Sequence, residues 1–195
     1  MKSEVYKITE DGSSLEILLK ESEKTASYAN LNKKQTIKLR LLAEELIRML
    51  PELLSFNKGE FWTECNGTSV ELHVSLVPHD NLTAAKREKI LSVSSDGKNA
   101  AEKGIISKIK IAVEFMLIDY ENSYSSAPAF FAYGVGGDLN SRPEVWSLDT
   151  YRSKAKKDND EKWDELEKSI IANIADDVIV GLQENKVEIT VKKTF

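Results

Sequence analysis

The sequence predicts an α+β fold: a two-layer sandwich in which a mixed, largely antiparallel sheet carries its helices on one face. Three observations predict it. The strand-like segments come mostly as hairpins and not in alternation with helices, which favours antiparallel neighbours. In the segment 70–77, Leu72, Val74 and Leu76 face one way while Glu71, His73 and Ser75 face the other, the alternation of a sheet covered on a single side. Two long segments, 34–54 and 100–120, carry apolar residues at helical spacing and supply the covering layer.

The elements follow in order. Glu4 to Thr9 alternates weakly and reads as a first strand, ended by Asp11-Gly12. Ser13 or Ser14 is placed to cap a helix over Leu15–Tyr28, with Leu15, Leu18 and Leu19 on one side. Asn30 to Asn32 punctuates. The next helix, 34–54, shows a broad stripe of Leu42, Leu46, Met49, Leu50 and Leu53, and Pro51 is expected to kink or end it. Strands at 60–65 and 70–77 flank Asn66-Gly67, a strong hairpin signal. Residues 83–91 read as a short basic helix, and 92–99 as a polar loop around Asp96-Gly97. The helix 100–120 presents Ile105, Ile109, Ala112 or Val113, and Met116 to the core. Residues 144–151 read as a strand, and the charge run 152–160 as a solvated loop. A helix over 160–175 carries Trp163, Leu166, Ile170 and Ile174. Strands 177–182 and 186–193 close the chain as a hairpin across Gln183-Glu184-Asn185.

With 195 residues the chain fits a single domain spanning 1–195, with an irregular insertion at about 121–143. No repeat and no linker interrupts it. Composition narrows the function classes. Lys+Arg is 27 against Asp+Glu 32, a net charge of −5, which argues against a general nucleic-acid binder. A single Cys excludes a disulfide framework and a cysteine-rich zinc module. Cys65 is expected to be a buried, inert thiol. No stretch approaches the length of a membrane span. The charged start Met1 to Lys7 has no signal-peptide core. The expected compartment is the cytoplasm, with no nucleic acid and no membrane among the partners.

Candidate chemistry is sparse. Asp80, His79 and His73 are the first group to weigh, since His and Asp at a strand end can bind metal or move protons. Yet His73 alternates with Leu72 and Val74 and should face outward, and of the convergent ligands a metal site needs only Cys65 lies across the hairpin. No Gly-x-Ser-x-Gly elbow occurs. Tyr133-Gly134-Val135-Gly136-Gly137 has the wrong spacing for a dinucleotide fingerprint, and no Walker A lysine is present. Phe61, Trp62, Trp146 and Trp163 are expected in the core. Lys86, Arg87 and Lys89 read as a solvated helix face. With nine glycines, there are few places for backbone to wrap a phosphate. Gly12, Gly59, Gly67 and Gly181 read as ordinary turns or strand ends.

Four segments nevertheless stand in a recognisable order. Leu41 to Met49 is a helix with Glu44, Glu45 and Arg48; a strand ends in Pro78-His79-Asp80-Asn81; Lys98 to Lys103 follows; Gly104-Ile105-Ile106-Ser107-Lys108 opens another helix. This order resembles the GHKL ATP-binding domain shared by histidine kinases, anti-sigma factor kinases, heat-shock chaperones and type II topoisomerases, and is nearest to the small anti-sigma type. In that family a helix carries Glu and Asn four apart, an Asp-x-Gly-x-Gly turn recognises adenine, a lid follows, and a glycine turn wraps phosphate. Here the Asn position falls on Arg48 if Glu44 matches, or on Met49 if Glu45 does. Both glycines after Asp80 are replaced. The resemblance implies a nucleotide site of Glu45, Arg48, Asp80, Asn81, Gly104 and Lys108, with Glu44 or Glu45 the only candidate catalytic carboxylate. The implied cofactor is ATP or ADP with Mg2+, although the metal-holding amide is missing, so that catalysis is weak or absent. The implied partner is a protein in signalling or transcription regulation. The same scaffold without nucleotide, acting as a protein-interaction module, is the alternative.

Overall fold

The computed structural model describes residues 1–79, 105–121, 145–158, 169–183 and 185–195. Along the chain these form β1 (Tyr6–Ile8), α1 (Leu15–Tyr28), α2 (Lys33–Leu53), β2 (Phe56–Asn66), β3 (Ser69–Pro78), α3 (Ile105–Glu121), β4 (Val145–Ser147), α4 (Leu148–Asp158), α5 (Ile170–Ile174), β5 (Asp177–Gln183) and β6 (Lys186–Thr194). The strands make one six-stranded sheet in the order β1-β2-β3-β6-β5-β4, antiparallel at every pairing. The α+β sandwich therefore holds, and no parallel pair occurs among the described strands.

The helical hairpin α1–α2 is fixed by local chemistry. At the end of α1, Asn30 takes the left-handed conformation with φ 53°. The Leu31 N–H then donates to Ala26 O at 2.9 Å and the Asn30 N–H to Ser27 O at 3.1 Å, closing the helix in a Schellman motif. Two residues later Asn32 opens α2 with a capping box. Its side chain accepts from the Gln35 N–H at 3.1 Å, and the Gln35 side chain accepts from the Asn32 N–H at 2.9 Å. Arg40 of α2 pairs with Glu23 of α1 across the seam. Pro51 lies in the last turn of α2, which stops at Leu53. That late position loses only one internal hydrogen bond, so the helix ends where Pro51 led us to expect.

The sheet's inner face is aliphatic. Phe61, Val70, Leu72, Val74, Leu76, Val178, Val180, Val187, Ile189 and Val191 are buried beneath helix residues including Leu18, Leu39, Leu42, Leu46, Leu50, Ile109 and Ile171. A buried hydroxyl pair, Thr25 of α1 and Thr63 of β2 at 2.6 Å, pins the helix layer to the sheet. The β2–β3 turn is the two-residue loop Gly67-Thr68, with Gly67 at φ 58°. A glycine first in such a loop is the type II′ preference, which matches the strand twist.

Several boundaries depart from expectation. The first strand is shorter than 4–9, and a second short piece precedes it: Lys2 bridges Glu64, and the Ser3 N–H donates to Thr63 O at 2.8 Å. Between Lys2↔Glu64 and Tyr6↔Phe61 the edge advances one residue more than β2. This is a bulge, a common device on exposed edges. The strand expected over 144–151 stops at Ser147, and the charge run is helical to Asp158. Ser147 and Asp177 accept the first free N–H groups of α4, from Thr150 and Asp149. Ala, Lys and Arg then propagate the helix readily. Gly59 is neither a turn nor a strand end. It lies within β2, where a Cβ would sit 2.8 Å from Ile8 Cβ and 2.9 Å from Phe56 Cε2. The segments 83–91, 92–99 and 122–143, with Trp163 and Leu166, lie outside the described residues.

Candidate functional site

Two groups of side chains bear on function. The first is the outward side of α2. Its buried side is occupied by Leu39, Leu42, Ala43, Leu46, Ile47, Met49, Leu50 and Leu53. Glu44 and Arg48 stand beside that stripe and pair with each other at 2.9 Å, one helical turn apart. Their side chains are 31% and 64% exposed, so this pair contributes only about 0.3–0.5 kcal/mol. Glu45 is half-buried and takes part in no ion pair among the described residues. Lys108 is half-buried in the first turn of α3, a helix that packs against α2. Asp80, Asn81 and Gly104 lie outside the described residues. Of the expected nucleotide site, the structure therefore places Glu45, Arg48 and Lys108, together with Glu44.

The donor set on α2 does not fit magnesium. Mg2+ takes hard oxygen ligands in octahedral geometry. Arg48 offers only N–H donors and a positive charge, and it already neutralises Glu44. Read in the other register, Met49 is 1% exposed and points into the core, and a thioether is a soft ligand. In neither register does the fourth position after a glutamate hold a divalent ion.

The second group stands on the opposite face of the sheet. The register places Trp62 of β2 beside His73 of β3 and His73 beside Thr190 of β6. The rings of Trp62 and His73 stack, with centroids 5.0 Å apart and planes within 3°. The Lys2 ammonium lies over the Trp62 ring at 5.0 Å and pairs with Glu64 at 3.1 Å. His73 Nδ1 shares a 3.1 Å hydrogen bond with Thr190 Oγ1. Its Nε2 lies 3.2 Å from Glu71 Oε2 but off the hydrogen-bonding direction, and so is buried without a hydrogen bond. Burial holds the His73 pKa below its ordinary value, opposed by Glu64 and Glu71 and reinforced by Lys2 and Lys192. Hydrogen bonds from Lys2 and Trp62 hold the Glu64 carboxyl below the usual range.

These positions correct two readings of the sequence. Trp62 is not a core aromatic: adjacent strand residues face opposite sides, so only Phe61 of that pair reaches the core. His73 and His79 do not converge. They are six residues apart along an extended strand, roughly 20 Å, and His79 is exposed beside Ser55 and Asn57. Cys65 lies opposite Val70 and not opposite His73, and is half-buried. Among the described residues no group of three or more His, Cys, Asp or Glu is placed to hold a metal ion. No helix among the described residues is long and apolar enough to cross a membrane. The cross-strand neighbours of His73 were missed: Asn66-Gly67 signals a hairpin, but the loop is Gly67-Thr68, and only that register sets Trp62 opposite His73.

Comparison of the chain with protein-family models, curated proteins and solved structures gives no match.

Proposed function

We propose that this chain is a nucleotide-binding regulatory protein of the anti-sigma factor and histidine-kinase ATPase-like type, binding ATP or ADP without magnesium-dependent catalysis. The observation that carries this reading is the Glu44–Arg48 pair on α2. It stands where the family has a glutamate and a metal-holding amide, on a helix of a two-layer sandwich with its helices over one sheet face. A guanidinium in that position repels a divalent cation but attracts phosphate, to which it can donate two parallel hydrogen bonds. Lys108, half-buried in the first turn of the adjacent helix, is the second cation the resemblance implies for the site. The chemistry supported is therefore anion binding and not metal-assisted transfer, which needs a positioned ion to stabilise the developing charge.

Calorimetric titration with ATP and with ADP, each with and without magnesium, tests this. Binding heat is expected for both nucleotides and is not strengthened by magnesium. Asp80→Asn abolishes it. No heat at millimolar nucleotide overturns the reading and leaves the nucleotide-free interaction module, which the replacement of the amide by Arg48 also favours. Tighter binding with magnesium present overturns the metal-free part alone.

A further inference from the structure

The tip of the α1–α2 hairpin has a chemistry that neither the nucleotide reading nor the core requires. Lys34, Ile37, Lys38 and Leu41 fall at helical spacing on the solvent side of α2. Lys33 stands beside them, and Tyr28 ends α1 next to the same turn. All are exposed, with Tyr28 at 68%, Ile37 at 50% and Leu41 at 38%. The side chains of Lys33, Lys34 and Lys38 make no hydrogen bond or ion pair among the described residues. Two carboxylates of α1 are taken, Glu23 by Arg40 and Glu21 by Tyr6 and Lys24; Glu16, in the first turn of α1, acts on Arg40. Along α2 the next glutamates after Leu41 are Glu44, paired with Arg48, and Glu45. A chain with a net charge of −5 thus concentrates unpaired positive charge and large exposed apolar side chains at one end of one helical hairpin.

We propose that this tip docks on an anionic phospholipid membrane surface. The alternation of lysines with Ile37, Leu41 and Tyr28 is that of a helix lying in the bilayer interface, where apolar side chains enter the acyl boundary and lysines meet headgroups. The α1–α2 seam is closed by buried leucines and crossed by the Arg40–Glu23 pair, so it offers no apolar groove for a partner helix. The Schellman motif and the capping box hold the hairpin in shape before contact, which limits the ordering cost of docking. The acidic remainder does not oppose this. Charges more than about 8 Å from the headgroups are screened at physiological ionic strength. Surface docking also needs no membrane-spanning segment, so the lack of one in the sequence does not bear on it.

The test is co-sedimentation of the full chain with sucrose-loaded vesicles of phosphatidylcholine alone and of phosphatidylcholine mixed with phosphatidylserine. The chain is expected to pellet with the mixed vesicles only, and to be released as salt rises. Each lysine near an anionic surface contributes roughly fivefold in partitioning, so Lys34→Ala with Lys38→Ala lowers binding by roughly 25-fold. Ile37→Ser with Leu41→Ser lowers it at constant charge. All four positions are exposed, so the variants' unfolding midpoints should match the parent's. Failure of the parent to pellet with mixed vesicles at low salt overturns the proposal. So does equal binding by the lysine variant, or by neutral vesicles. Lysine-dependent binding to poly-glutamate without vesicle binding overturns it in favour of an acidic protein segment. None of these outcomes depends on nucleotide.

Discussion

Across the middle of the sheet, the row under the helices reads Phe61, Val74, Ile189 and Val180, each wholly buried. One residue along the same strands, the opposite row reads Trp62, His73, Thr190 and Ile179, each half-buried. Backbone, twist and hydrogen-bond ladder are shared. What differs is the medium. The inner row exchanges water for close-packed carbon, which stabilises in proportion to area. The outer row keeps partial contact with water and gains from pairwise contacts, a ring stack worth about 0.5–1.5 kcal/mol and ion pairs worth about 1 kcal/mol or less. The inner row therefore sets stability, while the outer row is free to vary with conditions such as pH.

The widest test of that contrast uses two neighbours in the chain. Phe61→Ala is expected to cost about 3–5 kcal/mol, since it empties a fully enclosed site. Trp62→Ala removes the larger ring but costs about 1–2 kcal/mol, because the ring is partly wet and its main contact is the His73 stack. Urea titrations of the two variants decide it, and equal losses would erase the distinction between the faces. Gly59→Ala probes the inner face from the other side. A methyl there meets Ile8 Cβ and Phe56 Cε2 at under 3.0 Å, and one of the two is fixed to backbone. The expected loss is about 1–3 kcal/mol, also read from the urea midpoint. A neutral or stabilising result would mean that β1 shifts freely on β2.

How far the sequence exposed this contrast depends on the range of the interaction. The period-2 alternation of β3 and β6 and the stripe of α2 are local, and the structure follows them closely. The outward position of His73 was readable for the same reason. Its stacking partner was not. That contact depends on the register across Gly67-Thr68 and on an aromatic reading that put both Phe61 and Trp62 in the core. The α4 helix was hidden because part of what holds it is tertiary: beside the local cap Ser147, Asp177, distant in sequence, accepts the Asp149 N–H, and Arg152 turns to the carbonyls of Ala172, Ala175 and Asp176. Gly59 read as a turn because glycine's other use, close approach of Ile8 and Phe56, cannot be seen until β1 and β2 pair. For the proposed nucleotide site, the Glu44–Arg48 spacing was legible because a helix fixes residues four apart on one face. Asp80, Asn81 and Gly104 lie outside the described residues.

The smallest expected effect belongs to the outer row alone and appears only as pH changes. His73 is stacked on Trp62 and bonded to Thr190, and it faces Glu64 from β2, Glu71 from its own strand, Lys192 from β6 and Lys2 from the edge. Burial disfavours its charged form, and the two ammonium groups add to that; the two carboxylates resist, but the net direction is downward from 6.5. The folded state therefore binds the proton less readily than the unfolded chain. Wherever the unfolded state holds more protons, stability rises with pH. The contribution is complete above 6.5 and is lost as pH falls from there through the lower folded value. Chemical denaturation of the parent between pH 8 and about 5.5, above the ordinary carboxylate range, should show a decline that His73→Gln flattens. Glutamine cannot titrate, so the slope isolates the ring from Glu71 and Glu64 beside it. A variant with the same slope as the parent would assign the decline to groups other than His73, and the outer row would then carry no proton-linked stability through that ring.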